Sequence, residues 1–320
     1  MQKDPVGLLG RLNAASLMMI TPEFYKLWFK RIKGAGRIIN TPSNFAMKPK
    51  YMKVDGVNIR YATGGKVDGP TVLFLSPLPQ SILCYDKTWS ALSDDANMVA
   101  VDLPGFGKSE GGMSYATFSA QSEFLQKFIN KLELSNLHIV APDVGMPVAL
   151  HYVIHRDHKA KSILLGAGPS VQPSADGSLV KKMIYSKFWR LVFTFTGAPA
   201  FIAGANHLGY LNYSPSAEEV RDYVSSYSGR IGQVTKWFKG YPDGCKEIDP
   251  HLNNINIPVH ILWGDQDAFL KADNAEQLHT RLPNSSLTIF KGCGHFFYQD
   301  KYSEFTKLLQ YWINGDYKQN

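Results

Sequence analysis

Apolar and polar residues follow a pattern that changes from segment to segment after about residue 50. Short runs rich in β-branched and aromatic residues predict strands. These runs are Thr71–Ser76, Asn97–Asp102, Leu137–Pro142, Lys161–Gly166, Val259–Gly264 and Ser285–Lys291. Two earlier runs, Tyr51–Val54 and Val57–Ala62, flank Asp55-Gly56, a residue pair typical of a tight hairpin turn.

Helical periodicity appears between the predicted strands. Apolar residues recur every three or four positions in Tyr115–Leu132, Ala272–Leu282 and Ser303–Ile313. Strands that alternate with helices are typical of the α/β class. We therefore expect a mostly parallel central sheet flanked by helices.

About ninety residues separate the strand ending near Gly166 from the one beginning at Val259, and they show no convincing strand pattern. An insertion of this size between two late strands predicts a helical cap over the carboxyl ends of the strands, where open α/β sheets bind ligands. The predicted domains are an N-terminal extension over 1–49, a core over 50–166 and 258–320, and a cap over 167–257. Because the cap is rich in aromatic residues, we expect a small apolar molecule as substrate.

The cap holds the longest stretch of the chain without Asp, Glu, Lys or Arg, Leu191 to Ala217. Gly197, Pro199 and Gly204 interrupt this stretch and argue against a membrane span. We therefore expect it to form buried apolar surface.

The net charge of +7 is unevenly distributed. Residues 1–49 hold eight Lys and Arg against Asp4 and Glu23, a net +6, so the other 271 residues carry only +1. This distribution gives the main body no basic groove, and nucleic acid is not expected as a partner. Three cysteines are too few for a disulfide framework and favour a reducing, cytoplasmic location.

The basic surplus includes a predicted helix, Pro22 to Lys33, with Phe24, Trp28 and Ile32 along one face. Two interpretations stay open for residues 22–37: peripheral contact with an anionic membrane, or packing onto a neighbouring domain with solvated lysines. A homodimer is also compatible with the sequence.

The segment Ala141-Pro142-Asp143-Val144-Gly145 follows a predicted strand and precedes a helical run. A strand, a small residue, a nucleophile between two variable residues, a second small residue and a helix form the nucleophile elbow. The central residue of this turn takes a strained backbone with positive φ, which Asp tolerates better than most residues. Asp143 is therefore a candidate nucleophile.

Two later turns supply an acid and a base in the order this chemistry requires. Gly264-Asp265-Gln266-Asp267 ends one strand, and Gly292-Cys293-Gly294-His295 follows the last one. The segment Asp102-Leu103-Pro104-Gly105-Phe106-Gly107-Lys108-Ser109 is similar to the DxPGxGxS turn of the α/β-hydrolases. From about residue 50 to 315 the chain thus resembles an α/β-hydrolase. Its aspartate at the elbow resembles the epoxide hydrolases and haloalkane dehalogenases.

The resemblance implies a role for each matching residue. Asp143 attacks a saturated carbon to form an alkyl–enzyme ester, His295 activates the water that hydrolyses it, and Asp267 orients His295. The backbone N–H groups of Leu78 and Val144 form the oxyanion hole, although Ser76-Pro77-Leu78-Pro79 departs from the HGxP loop of the family. No cofactor or metal is implied.

The group that assists the leaving group stays open at this point. Epoxide hydrolases use two cap tyrosines, whereas dehalogenases use Trp or Asn N–H donors. The cap candidates are Tyr185, Trp189, Trp237, Phe238 and Tyr241, with Tyr210, Tyr213 and His207 as substitutes. The tyrosines in the cap favour an epoxide hydrolase. Trp189 is compatible with a haloalkane dehalogenase, which is the alternative. A non-catalytic capped ligand-binding protein is the third hypothesis.

Overall fold

The computed structural model of the chain describes residues 4–32, 38–39, 45–169 and 177–315, with side chains at all of these except 28–32 and 38–39. Its strands are β1 (Ile38–Ile39), β2 (Lys50–Val54), β3 (Val57–Gly65), β4 (Thr71–Leu75), β5 (Asn97–Val101), β6 (Leu137–Pro142), β7 (Ala160–Gly166), β8 (Tyr213–Ser214), β9 (Val259–Gly264) and β10 (Ser285–Phe290). The predicted strands agree with these bounds to within a few residues.

Eight strands form the central sheet in the order β10-β9-β7-β6-β4-β5-β3-β2. All neighbours are parallel except β3, which runs antiparallel to both β2 and β5. The β2–β3 hairpin turns at Asp55 and Gly56, whose φ angles of 52° and 82° are those of a type I′ turn. The carboxyl ends of β4, β6, β9 and β10 consequently meet at one edge of the sheet.

The helices are α1 (Gly7–Met18), α2 (Pro22–Ile32), α3 (Asp86–Ala91), α4 (Phe118–Lys131), α5 (Gly145–His155), α6 (Ser178–Tyr185), α7 (Lys187–Gly209), α8 (Ala217–Tyr227), α9 (Ile231–Ile248), α10 (Asp273–Arg281), α11 (Phe297–Asp300) and α12 (Tyr302–Ile313). The pairs α4–α5 and α3–α12 pack together in the core. These elements confirm the predicted class, an α/β-hydrolase fold with a mostly parallel sheet flanked by helices.

The insertion between β7 and β9 contains α6, α7, α8 and α9 with the two-residue strand β8. Helix α7 bends at Gly197, where φ is 76° and the backbone is not helical. By length and composition alone, α7 is the one helix among the described residues that could cross a membrane, and 28% of its most apolar window is buried. The stretch Leu191 to Ala217 is nevertheless mostly buried or half-buried, as expected, although the Phe195 side chain is 80% exposed.

The N-terminal helices pack on the cap. A Cβ atom at Gly10 of α1 would lie 2.9 Å from Cβ of Pro199, so glycine permits α1 to approach α7 closely. In α2, the Glu23 carboxylate accepts hydrogen bonds from the backbone N–H and the hydroxyl of Ser178, at 3.0 and 2.6 Å. These contacts favour domain packing for the start of α2. Residues 33–37 lie outside the described residues, and membrane contact through 22–37 stays a prediction.

Candidate active site

Asp143 stands at a sharp turn between β6 and α5. Its φ is 52°, and its N–H donates to the Gly166 carbonyl at 2.8 Å, which ties the turn to β7. A Cβ atom at Gly145 would lie 3.0 Å from Cβ of Leu75, and the Ala141 side chain is buried in the same crowded region. The predicted small residues therefore let the strand and the helix meet, and they expose the Asp143 carboxylate at the edge of the sheet.

His295 and Asp267 reach this carboxylate from two other turns. Nε2 of His295 lies 3.4 Å from Oδ2 of Asp143, and Nδ1 of His295 lies 2.7 Å from Oδ2 of Asp267. The second oxygen of Asp267 accepts hydrogen bonds from the N–H groups of Phe269 and Leu270, at 2.8 and 2.9 Å. The structure therefore brings together the three predicted residues in the order carboxylate, imidazole, carboxylate.

Asp265, the other aspartate of the turn that carries Asp267, has a different partner. Its carboxylate accepts a hydrogen bond from the Cys293 N–H at 3.2 Å and so holds the loop that carries His295. Asp102 also holds loops in place. Its two carboxylate oxygens accept hydrogen bonds from the N–H groups of Ile82 and Lys108, at 2.8 and 3.0 Å. Burial raises the pKa of Asp102 to about 6, against the opposing charge of Arg60.

Burial and charge act in opposite directions on the central pair. Desolvation raises the pKa of the Asp143 carboxyl, while its hydrogen bond to His295 and the His295 charge lower it. Desolvation also lowers the pKa of His295, but the charge of Asp267 and the hydrogen bonds to both carboxylates outweigh it and raise that pKa to about 10. The pKa of both groups is raised on balance, and the two carboxyl groups favour the protonated form of the His295 imidazole.

The predicted oxyanion donors, Leu78 and Val144, lie beside Asp143 and line the same cavity. The Val144 N–H donates to Oδ1 of Asp143. A hydroxyl of Ser76 accepts from the Leu103 N–H at 3.2 Å, and the Ser76 N–H donates to the Val101 carbonyl at 3.0 Å. The loop after β4 is thus tied to the strand beside it, although it lacks the usual His and Gly.

The cavity above Asp143 is lined mostly by apolar side chains. Of the five cap candidates, Trp237, Phe238 and Tyr241 line it, all from α9. Trp189 and Tyr185 are absent from its lining. The Trp189 ring instead lies 4.9 Å from Nζ of Lys182, and the Tyr185 side chain is 63% exposed. Among the five cap candidates, those that line the cavity therefore all come from helix α9.

The substitute tyrosines belong to a buried polar cluster, which we define as Gln80, Tyr210, Tyr213, Glu219, Tyr298 and Gln299. Nε2 of Gln80 donates to Oε1 of Gln299 at 2.8 Å, and Nε2 of Gln299 donates to Glu219 at 2.8 Å. Gln80 also contacts the hydroxyls of Tyr210 and Tyr298. This cluster connects three parts of the molecule: the loop after β4 that carries Leu78, the cap, and helix α11. His207 lies apart from it, with its ring 5.5 Å from that of Phe24.

Sequence reasoning missed this cluster because a lone Gln after a Pro-rich loop carries no motif. It also missed that the N-terminal extension contributes to the cavity, where Leu17 and Met18 of α1 form part of the wall. The only sequence signal for the second feature is the apolar character of α1, which alone does not say what the helix contacts.

Comparison with known proteins places these observations in a family. Residues 70–302 match the family described as alpha/beta hydrolase fold. The chain is 23% identical over 273 residues to the dihydrolipoyllysine-residue acetyltransferase component of the acetoin cleaving system of Cupriavidus necator, covering 83% of this chain and 69% of that protein. It is 23% identical over 288 residues to epoxide hydrolase 3 of Xenopus tropicalis, covering 83% and 77%.

Among solved structures, haloalkane dehalogenase DbeA of Bradyrhizobium elkani superposes with a TM-score of 0.72 at 20% identity, covering 84% of this chain and 98% of that one. These similarities are low, and they span proteins with different reactions. The family match over most of the chain, together with the sheet and the elbow, shows that this protein belongs to the α/β-hydrolase fold family.

Proposed function

We propose that the protein hydrolyses a small-to-medium apolar substrate through a covalent alkyl–enzyme ester on Asp143, and that it acts as an epoxide hydrolase. The observation that carries the proposal is the carboxylate at the elbow, 3.4 Å from Nε2 of His295. A carboxylate is ionised at neutral pH and suits displacement at a saturated carbon, whereas a serine alkoxide suits attack on an acyl group.

In the first step an oxygen of Asp143 attacks an epoxide carbon, and the carbon–oxygen bond of the ring breaks. The alkoxide that leaves needs a proton, and the Tyr241 hydroxyl is the cap group we assign to supply it. Ester formation removes the negative charge of Asp143. Because that charge is one cause of the raised pKa of His295, the pKa then falls. His295 passes its proton to the Tyr241 phenolate, and the neutral imidazole becomes available as a base.

In the second step His295 takes a proton from a water molecule, whose oxygen attacks the Asp143 carbonyl carbon. The negative oxygen that forms lies toward the N–H groups of Leu78 and Val144. Collapse of this intermediate breaks the ester bond. The departing alkoxide takes the proton of the new Asp143 carboxyl, which releases the diol and regenerates the carboxylate. Asp267 stabilises the imidazolium throughout, since its other oxygen is already held by two backbone N–H groups.

A haloalkane dehalogenase is the second candidate, and the Trp237 indole in the cavity favours it. Halide departs as an anion and needs an N–H donor but no proton transfer. Against this assignment, the Trp237 ring packs 5.2 Å from Phe106 and 5.1 Å from Phe118, which holds it in the cavity wall. The third candidate is a binding protein that keeps these residues without turnover.

One experiment separates the three candidates. His295→Gln is incubated with terminal alkyl epoxides and with bromoalkanes of matched chain length, and its intact mass is measured. An ester on Asp143 adds the mass of the whole epoxide, or of the alkyl group without bromine. Asp143→Asn is the control and must gain nothing. A binding protein binds the probes and gains no mass.

Turnover in heavy-oxygen water tests the same ester in the wild-type protein. Over several turnovers the label enters the Asp143 carboxylate, because each hydrolysis replaces one of its oxygens. Turnover that leaves Asp143 unlabelled would mean direct attack by water and would overturn the proposed mechanism.

A further inference from the structure

Helix α1 is apolar on two opposite faces. One face buries Ala14, Leu17 and Met18 against the cap, while Leu8 and Leu9 on the other side are 75% and 73% exposed. At 100° per residue, the exposed apolar side chains of Leu8, Leu9 and Leu12 share one half of the helix with Ser16, and the exposed Met19 and Ile20 follow its last residue. Several large apolar side chains exposed together can mark a surface that meets a membrane or a partner.

The first half of α7 presents a second apolar stripe. Phe188, Leu191 and Phe195 lie at helical spacing on one face, with exposed fractions of 65%, 55% and 80%. Phe193 on the opposite face is buried. Like α1, the first half of α7 therefore packs on the protein through one apolar face and exposes apolar side chains on the other.

Helix α1 contacts α7 on the far side of the bend from the second stripe. Near the start of α1, Gly10 packs on Pro199, which follows the bend at Gly197. Near its end, Nζ of Lys182 lies 3.4 Å from the Ile20 carbonyl and 4.9 Å from the ring of Trp189. The region that follows α1 thus lies near the first half of α7, while α1 itself packs along the second half, at Pro199 and Gly204. We call this joint area the apolar face: Leu8, Leu9, Leu12, Met19, Ile20, Phe188, Leu191 and Phe195.

The helices that carry the apolar face, together with α2 and α6, are rich in basic residues. Residues 4–32 and 177–209 hold eight Lys and Arg against two acids, a net +6. Both acids are engaged: Asp4 pairs with Arg11 at 3.0 Å, and Glu23 binds Ser178. Among the described residues, no carboxylate lies within ion-pair distance of Lys26, Lys181 or Lys187. Such a surface suits an anionic lipid membrane, because its apolar side chains can enter the acyl region while its lysines contact the anionic headgroups.

We propose that the apolar face docks the protein peripherally on an anionic lipid surface. The same elements line the cavity from within: Leu17 and Met18 of α1, Val180 and Met183 of α6, and Phe193 of α7. Docking therefore puts the cavity wall against the membrane, where an apolar substrate partitions. The proposal does not depend on which bond the site breaks.

Vesicle flotation tests the proposal with the full chain. The probes are vesicles of phosphatidylcholine alone and of phosphatidylcholine with phosphatidylglycerol. We expect binding to the anionic vesicles that weakens in high salt, because headgroup attraction is screened. The variant Leu8→Ser/Leu9→Ser/Leu12→Ser should lose at least about tenfold in binding, since its outward face no longer buries apolar area.

The matched control is Val67→Ser/Tyr311→Ser, which removes two side chains exposed by 81% and 66% elsewhere on the molecule. It should bind as the wild type does, and thermal unfolding must show that both variants are folded. Asp143→Asn should also bind normally, because the assay needs no turnover; the docking and the reaction are thereby tested separately.

Two results overturn the proposal. One is a wild-type protein that floats with neither kind of vesicle. The other is a dimer in sedimentation equilibrium without lipid that dissociates in the Leu8, Leu9 and Leu12 variant, with no vesicle binding. That outcome assigns the apolar face to a second copy of this chain.

Discussion

The carboxyl edge of the sheet and the cap side of the cavity hold their side chains by different means. At the sheet edge, polar atoms are fixed by backbone groups: Asp267 accepts two N–H hydrogen bonds, and the Asp143 turn is tied to β7. On the cap side, α1, α6 and α7 meet the cavity through apolar contacts. Hydrogen bonds at a turn fix direction, whereas apolar packing mainly fixes volume. Reaction and substrate choice should therefore respond differently to substitution.

The largest effect is expected at the acid that holds His295. Asp267→Asn should lower kcat about 10³–10⁴-fold, because the imidazole loses its orienting and stabilising charge. Asp265→Asn is the matched control two residues away. Since its carboxylate serves the Cys293 loop, it should cost less than about tenfold. Steady-state kinetics on one epoxide compares them, and equal losses would contradict the assignment of Asp267.

The next effect concerns the acid from the cap. Tyr241→Phe should lower kcat toward epoxides about 10²-fold with little change in KM, because the alkoxide leaves without its proton donor. Bromoalkane turnover, where it occurs, should not change. Tyr185→Phe is the control at an exposed position and should be neutral. If Tyr241→Phe is also neutral toward epoxides, another group supplies the proton.

The sheet edge could be predicted from the sequence better than the cap side of the cavity. The turns at Asp143, Asp267 and His295 are predictable because each follows a strand and uses small residues with defined backbone geometry. Their positions in the sheet match the prediction, and their catalytic roles stay proposals. Trp189 was a poor prediction for the cavity, because helical spacing gives a face only within one helix. How α7 bends at Gly197 and where α1 packs depend on tertiary contacts, which local spacing does not encode.

The buried polar cluster should be important for stability. Gln80→Leu leaves the hydroxyls of Tyr210 and Tyr298 and the amide of Gln299 short of a partner, which should cost about 2 kcal/mol of unfolding free energy. Gln277→Leu on the exposed face of α10 should be within about 0.5 kcal/mol of the wild type. Urea unfolding measures both; equal stabilities would mean that the cluster does not hold the loop.

The charge pair also predicts a pH dependence of stability. The pKa of His295 is raised from an ordinary 6.5 to about 10, so its stabilising effect is complete below pH 6.5 and is lost as pH rises toward 10. The difference in unfolding free energy between the wild type and His295→Gln should therefore shrink by about 1–3 kcal/mol between pH 6 and pH 10. A constant difference across this range would mean that His295 is neutral in the resting site.

The smallest effect is expected on the apolar side. Met18 lines the cavity from α1, whereas Leu12 lies on the outward face of the same helix. Met18→Ala should raise KM about three- to tenfold for the longest alkyl epoxides, because a buried methylene contact is worth about 0.8 kcal/mol. It should leave kcat unchanged, and Leu12→Ala should leave both constants unchanged with substrates free in solution. A fall in kcat for Met18→Ala would show that α1 helps to align the reacting atoms. The apolar side would then affect the reaction as well as the choice of substrate.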